Sequence, residues 1–255
     1  MVNPASAVID FTRSHLQFAK RMRGAHMHCD IEDATRDVDW YSSPDVATAV
    51  PDATQLLQRL PLAMQIVEKS SSFEGRELFR VTVSVERLAR HPFMSLDEDD
   101  FDLEAIRCAL LECFEPAHLF GCFRPYRYNN YSVSGAGGVG MFVFEADFLV
   151  WECEGVDLKR ISDTLAKSES SVFPGLPVMR WHPVRPGTHV DHFIDVISIP
   201  DEQYEIGGVS TYTVFKTAMD PCAEVELKDL LRKWPFEKLI LVAGEGKLLQ
   251  KTIPE

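Results

Sequence analysis

From Phe73 onward the chain alternates β-like runs with segments of helical period, and this alternation narrows its fold more than any other feature. Apolar texture predicts a strand over 78–85, a strand pair around 141–151 and further strands over 192–199, 210–216 and 238–243. Helix-spaced apolar residues predict helices over 101–113, 156–166 and 225–233. The class expected is therefore α+β, with the first set of elements recurring in shortened form after residue 168. Gly135, Gly137, Gly138 and Gly140 interrupt the first set before its central strands, and Pro174, Pro177, Pro183 and Pro186 populate the connection to the second. Residues 1–72 read as a helical N-terminal extension, with Val8, Phe11, Leu16 and Phe18, then Leu56, Leu57, Leu60 and Met64, at helix-like spacing. The expected organisation is that extension, a first α+β repeat over 73–167 and a shortened second repeat over 168–255.

A formal net charge of −13 gives the chain a field that repels nucleic acid and anionic membrane surfaces, so no nucleic acid and no membrane are expected as partners. A cationic ligand or a basic protein suits it better. No run approaches the roughly 20 apolar residues of a membrane span, and the opening MVNPASAVIDFTRSHLQF has neither a basic nor an apolar signal region, so a cytoplasmic location is expected. The six cysteines include no C-x-x-C pair, which reads as reduced thiols.

Four stretches then carry a resemblance in shared order. Phe73-Glu74-Gly75-Arg76-Glu77 reads as F-E-G-x-E at the start of a strand, and Met141-Phe142-Val143 is followed, eleven residues after the Phe, by Cys153 in LVWECEG. Ser171-Val172-Phe173-Pro174 and Ile197-Ser198-Ile199-Pro200-Asp201-Glu202 come next, and DLLRKWPFEKLILV closes the series from Asp229. Together they resemble the eukaryotic-type S-adenosylmethionine decarboxylases over roughly residues 73–245. That resemblance implies a two-repeat α/β/β/α sandwich, a role near polyamine and spermidine biosynthesis, and a nucleoside pocket. In the family an internal Glu-Ser bond cleaves itself and the serine becomes a pyruvoyl group, the electron sink for decarboxylation. Here the cleavage pair falls on Gly138 and Val139, and the histidine that assists processing falls on Ser198, so the pyruvoyl cofactor is expected to be absent and the chain non-processing.

The resemblance carries site residues with it. Phe73 and Phe173 match the two rings that sandwich the adenine, Glu202 the carboxylate that receives the ribose hydroxyls, Cys153 the proton donor, and Glu74 and Glu77 the acidic pair. S-adenosylmethionine or a related nucleoside is the ligand implied, and an active decarboxylase paralogue or a second copy is the protein partner. A silent or regulatory protein is the leading expectation. The run Ser168-Glu169-Ser170-Ser171-Val172-Phe173 also spells the family's processing sequence, which would make Ser170 the precursor, but it follows a predicted helix and lies about 35 residues too far along.

Plainer readings stand beside these. Phe73 and Phe173 are also what core aromatics look like, and Cys153 in a strand has no sequence neighbour that tunes it. Two further functions remain open at this level: turnover of an adenosyl ligand by a pyruvoyl-independent route, with Cys153 and Glu77 as acid and base, and a metal-dependent hydrolase built on His182, His189 and His192.

Overall fold

A long antiparallel hairpin forms the spine of the molecule: β3 (His118–Asn130) lies along β4 (Gly140–Trp151) from the His118–Trp151 pair to the Asn129–Gly140 pair. The structure is a computed structural model, and it describes residues 51–90, 103–130, 140–153, 155–172, 176–207, 213–219, 223–224, 226–227, 230–231 and 234–250. The sequence of β4, GMFVFEADFLVW, explains its place, because a strand covered on both faces tolerates a continuous apolar run. All but one of its residues are buried.

Each strand of the hairpin takes two partners along its outer edge. β4 pairs through its C-terminal half with β1 (Leu78–Val83) and further back with the short β2 (Ala89–Arg90). β1 in turn pairs with β5 (Met179–Pro183). On the other side, β3 pairs near its start with β8 (Ile240–Ala243) and near its end, in parallel, with β6 (Glu202–Gly207), which carries β7 (Thr213–Ala218). Pro125 falls between the β8 and β6 pairings, where no described strand calls on an N–H from that position.

Helices cover both faces. In α1 (Pro51–Glu68) the buried Arg59, Leu62, Ala63 and Ile66 repeat at helical spacing, and the helix packs on α4 (His189–Val196). α4 brings Phe193 against Phe120 and Trp151, which places it on the face carrying the even-numbered residues of β3. On the opposite face, α2 (Leu103–Phe114) buries Leu103, Ile106, Leu110 and Phe114, with the Phe114 ring edge-on to Phe148 at 5.1 Å. α3 (Gly155–Ser168) packs on β5 through the buried Leu158, Ile161 and Leu165. Short turns α5 (Phe236–Leu239) and α6 (Lys247–Gln250) flank β8, and Arg59 lies 4.2 Å over the Phe236 ring.

The architecture is mixed α and β, as the sequence predicts. Its eight described strands belong to one sheet, and strands from both expected repeats interleave in it, since β5, β6 and β8 all pair with strands of residues 73–167. The strand expected over 192–199 is instead mostly helix, because Phe193, Val196 and Ile197 bury one helical face and Ser198 Oγ closes the end by donating to the Ile194 carbonyl at 2.8 Å. Glycine 138, Val139 and Phe173 lie outside the described residues, as does the N-terminal extension up to residue 50.

Candidate functional site

The register places four chain segments at one end of the sheet. Leu78 pairs with Trp151, Trp151 with His118, and Leu119 with Ala243, so Arg76, Glu152, Cys153, His118 and Glu245 all gather there. Arg76 Nη1 lies 2.6 Å from Glu245 Oε2 and 3.6 Å from Glu152 Oε1. Glu245 also receives the Trp151 indole N–H at 3.4 Å, and the hydrogen bond from Arg76 holds its carboxyl below the usual range. Glu152 adopts a left-handed φ of 57°, and Gly244 a φ of 55° where a Cβ would stand 2.0 Å from His118 Nδ1.

Beside this cluster the turn before β1 and the turn after β5 enclose a cavity of about 610 Å³. Phe73, Glu74, Arg76 and Glu77 line it on one side, and Arg185 and His189 on the other. Three of the six residues singled out from the sequence, Phe73, Glu74 and Glu77, therefore share one cavity. The Phe73 ring is only 6% exposed, packed 4.5 Å from the Phe193 ring and edge-on to Trp151 at 5.4 Å, so it offers the cavity an apolar wall and keeps little free face for stacking. Cys153 follows Glu152 at the same sheet end, partly buried and packed on the core. Glu202 does not join them. It begins β6 near the level of Tyr126, eight β3 residues from His118 or roughly 26 Å along the strand, and its carboxylate pairs with Lys216 at 2.9 Å.

The three histidines of the hydrolase reading do not converge. His189 Nε2 meets the Ser70 carbonyl at 3.1 Å, while His182 and His192, with ring centroids 6.1 Å apart, lie near Arg80, and burial followed by that guanidinium holds both below the usual imidazole range. Among the described residues, the one group of three or more His, Cys, Asp or Glu whose ligand atoms lie within 4.8 Å of one another is His118, Glu152 and Glu245. Its chemistry does not favour a cation. The Glu245 N–H donates to His118 Nδ1 at 3.4 Å, leaving the proton of a neutral ring on Nε2, which faces Glu152 at 2.9 Å, and Arg76 already supplies the positive charge.

Sequence reasoning passed over a second polar assembly on the α4 face of the sheet. Asp147, 1% exposed, receives Arg80 through both oxygens at 2.9 and 2.5 Å and Arg124 at 2.7 Å. Asp195 of α4 pairs with Arg80 at 2.5 Å and Arg124 at 3.6 Å, and Arg124 Nε donates to the Ser198 carbonyl. Burial pushes the Asp147 carboxyl up, but the two guanidiniums outweigh it and the net shift is downward. Nearby Cys122, with Sγ 2.9 Å from the Val196 carbonyl, has its thiol pushed up to about 12, chiefly by burial, and stays a protonated donor. The signal for this assembly was present in β4, where Glu145 and Asp147 stand two apart, hence on one face, inside an otherwise apolar run.

Comparison with known proteins was uninformative. No family model, curated protein or solved structure matches the chain.

Proposed function

We propose that this chain is a non-processing, S-adenosylmethionine decarboxylase-like protein that binds an adenosyl-type ligand in the cavity between residues 73–78 and 183–189. The observation that supports this reading is the meeting of Phe73, Glu74 and Glu77 in one cavity of about 610 Å³, within the usual range for small-molecule sites. Both signs of charge line it: Glu74 and Glu77 suit a sulfonium or ammonium, and Arg185 suits a carboxylate, Arg76 being engaged by Glu245 and Glu152. With Glu202 elsewhere on the sheet, contacts to a ribose in this cavity fall to Glu74 or Glu77. The α/β/β/α arrangement that the resemblance implies pairs two sheets, whereas the described strands form one.

Calorimetry with S-adenosylmethionine tests the proposal. Binding should weaken about tenfold in Glu77→Gln, the scale of one charge-assisted hydrogen bond. The lone protein should release no carbon dioxide and should give a single mass near 28.8 kDa. Absence of binding at millimolar ligand would end the reading, and carbon dioxide release would end its non-processing part.

A further inference from the structure

Where α4 meets the sheet, two histidines and an arginine converge. Arg80 of β1 and His182 of β5 are direct cross-strand partners, so their side chains stand on one face with Cβ atoms about 5 Å apart. Toward them α4 offers His192 and Asp195, three positions apart and hence on one side of the helix. Asp195 pairs with Arg80 at 2.5 Å, and the His182 and His192 rings lie 6.1 Å apart. α1, which also packs on α4, holds its buried Arg59 over the Phe236 ring and directs Lys69 to the Leu248 carbonyl.

The charge balance of this junction depends on the two rings. Arg80 and Arg124 are matched by Asp147 and Asp195, so protons on both rings would add two positive charges against the exposed Asp191. A like charge directly across a strand pair is unfavourable, and His192 as an imidazolium would compete with Arg80 for Asp195. Asp191 and Asp195 favour a proton on His192, and Asp147 favours one on His182, but burial first and Arg80 second outweigh them.

The same helix is a wall of the cavity. His189, its first residue, lines the cavity and meets the Ser70 carbonyl, and one turn later the Phe193 ring packs 4.5 Å from the ring of Phe73, which lines it too. Whatever loosens α4 therefore moves two sides of that space.

We infer that His182 and His192 form an acid-sensitive latch, which holds α4 on β1 and β5 while both rings are neutral and, once they are protonated, frees the helix and opens the cavity to release its ligand. The release step rests on the adenosyl reading; the latch does not. The sign follows from linkage. Both folded-state rings bind protons more weakly than an unfolded histidine, so the docked helix is fully stabilised above about pH 6.5 and loses that stability as pH falls through the folded values.

Hydrogen exchange of the α4 amides, corrected for the intrinsic rate, tests the latch in the full chain at about pH 7.5 and about pH 5, a range that stays above the carboxylate titrations. Protection should fall at least about tenfold at the lower pH, the factor that one tenfold-weakened proton site confers. His182→Gln/His192→Gln, neutral at both values, should keep its protection, and His182→Gln alone, at an exposed position, should keep part of it. Affinity for S-adenosylmethionine should fall with pH more in the parent chain than in the double variant. Unchanged protection of α4 at the lower pH, or an equal loss in the folded double variant, would overturn the latch. Loosened α4 with the same pH dependence of affinity in both proteins would overturn the release step alone. If S-adenosylmethionine binds at neither pH, the adenosyl reading and the release step fall together, while the exchange data still decide the latch.

Discussion

Asp147→Asn is expected to lose about 3–5 kcal/mol of unfolding free energy, the scale seen when one partner of a buried ion pair is removed. The substitution keeps the volume but leaves Arg80 and Arg124 facing a neutral amide, with Asp195, half exposed on α4, as their remaining carboxylate. Denaturant titration reads the loss directly. The pH dependence gives an independent reading. Because the folded-state carboxyl of Asp147 lies below its unfolded value of about 3.9, its contribution is complete above that pH and drains away as pH falls through the folded value. The asparagine variant has no such group, so its stability should fall less steeply than that of the parent chain below about pH 4. A loss under 1 kcal/mol, with an unchanged acid limb, would show that the assembly is not held through Asp147.

Trp151→Ala should cost a comparable 3–5 kcal/mol. Trp151 is fully buried at the point where Phe73, Phe193 and His118 meet, with ring centroids at 5.4, 6.0 and 5.8 Å, so truncation leaves a cavity walled by three rings that cannot easily collapse. Trp151→Phe refills much of that volume and loses the indole N–H to Glu245, so it should cost clearly less. Both variants can be ranked by thermal unfolding followed by far-ultraviolet circular dichroism. If the phenylalanine variant were as unstable as the alanine one, the hydrogen bond to Glu245 would outweigh the packing, contrary to the expectation here.

The sequence was a good guide where one periodicity dominated. Helices predicted over 101–113 and 156–166 appear as Leu103–Phe114 and Gly155–Ser168, because each carries a clean apolar stripe with polar flanks. The spine strand β3 was invisible for the opposite reason: HLFGCFRPYRYNN holds a glycine, a proline and four charged or amide positions that argue against a central strand. Tertiary context resolves each of these. Pro125 sits in a gap of the ladder, Gly121 passes so close to β4 that a Cβ would lie 2.2 Å from the Asp147 carbonyl oxygen, and Arg124 finds Asp147 across the hairpin. Residues 189–197 went the other way, since HVDHFIDVI fits alternation and helical spacing equally well over so short a stretch. For the candidate site, Phe73, Glu74 and Glu77 are neighbours in sequence and could be grouped from it. Their companions Arg185 and His189 arrive only through the pairing of β5 with β1.

The edge of β3 from Leu119 to Cys122 is closed only by residues 240–243, which follow it by more than a hundred positions. At a synthesis rate of about 5–20 residues per second, the hairpin can zip up on the ribosome while that apolar edge stands open for on the order of ten seconds. Leu119, Phe120 and Phe123 would then be presented, as a nascent chain, to any neighbouring strand or to a chaperone. Yield during expression should therefore hinge on the arrival of the last strand, so that ribosome pausing anywhere between the end of β4 and Ile240 would prolong the exposure and lower the yield.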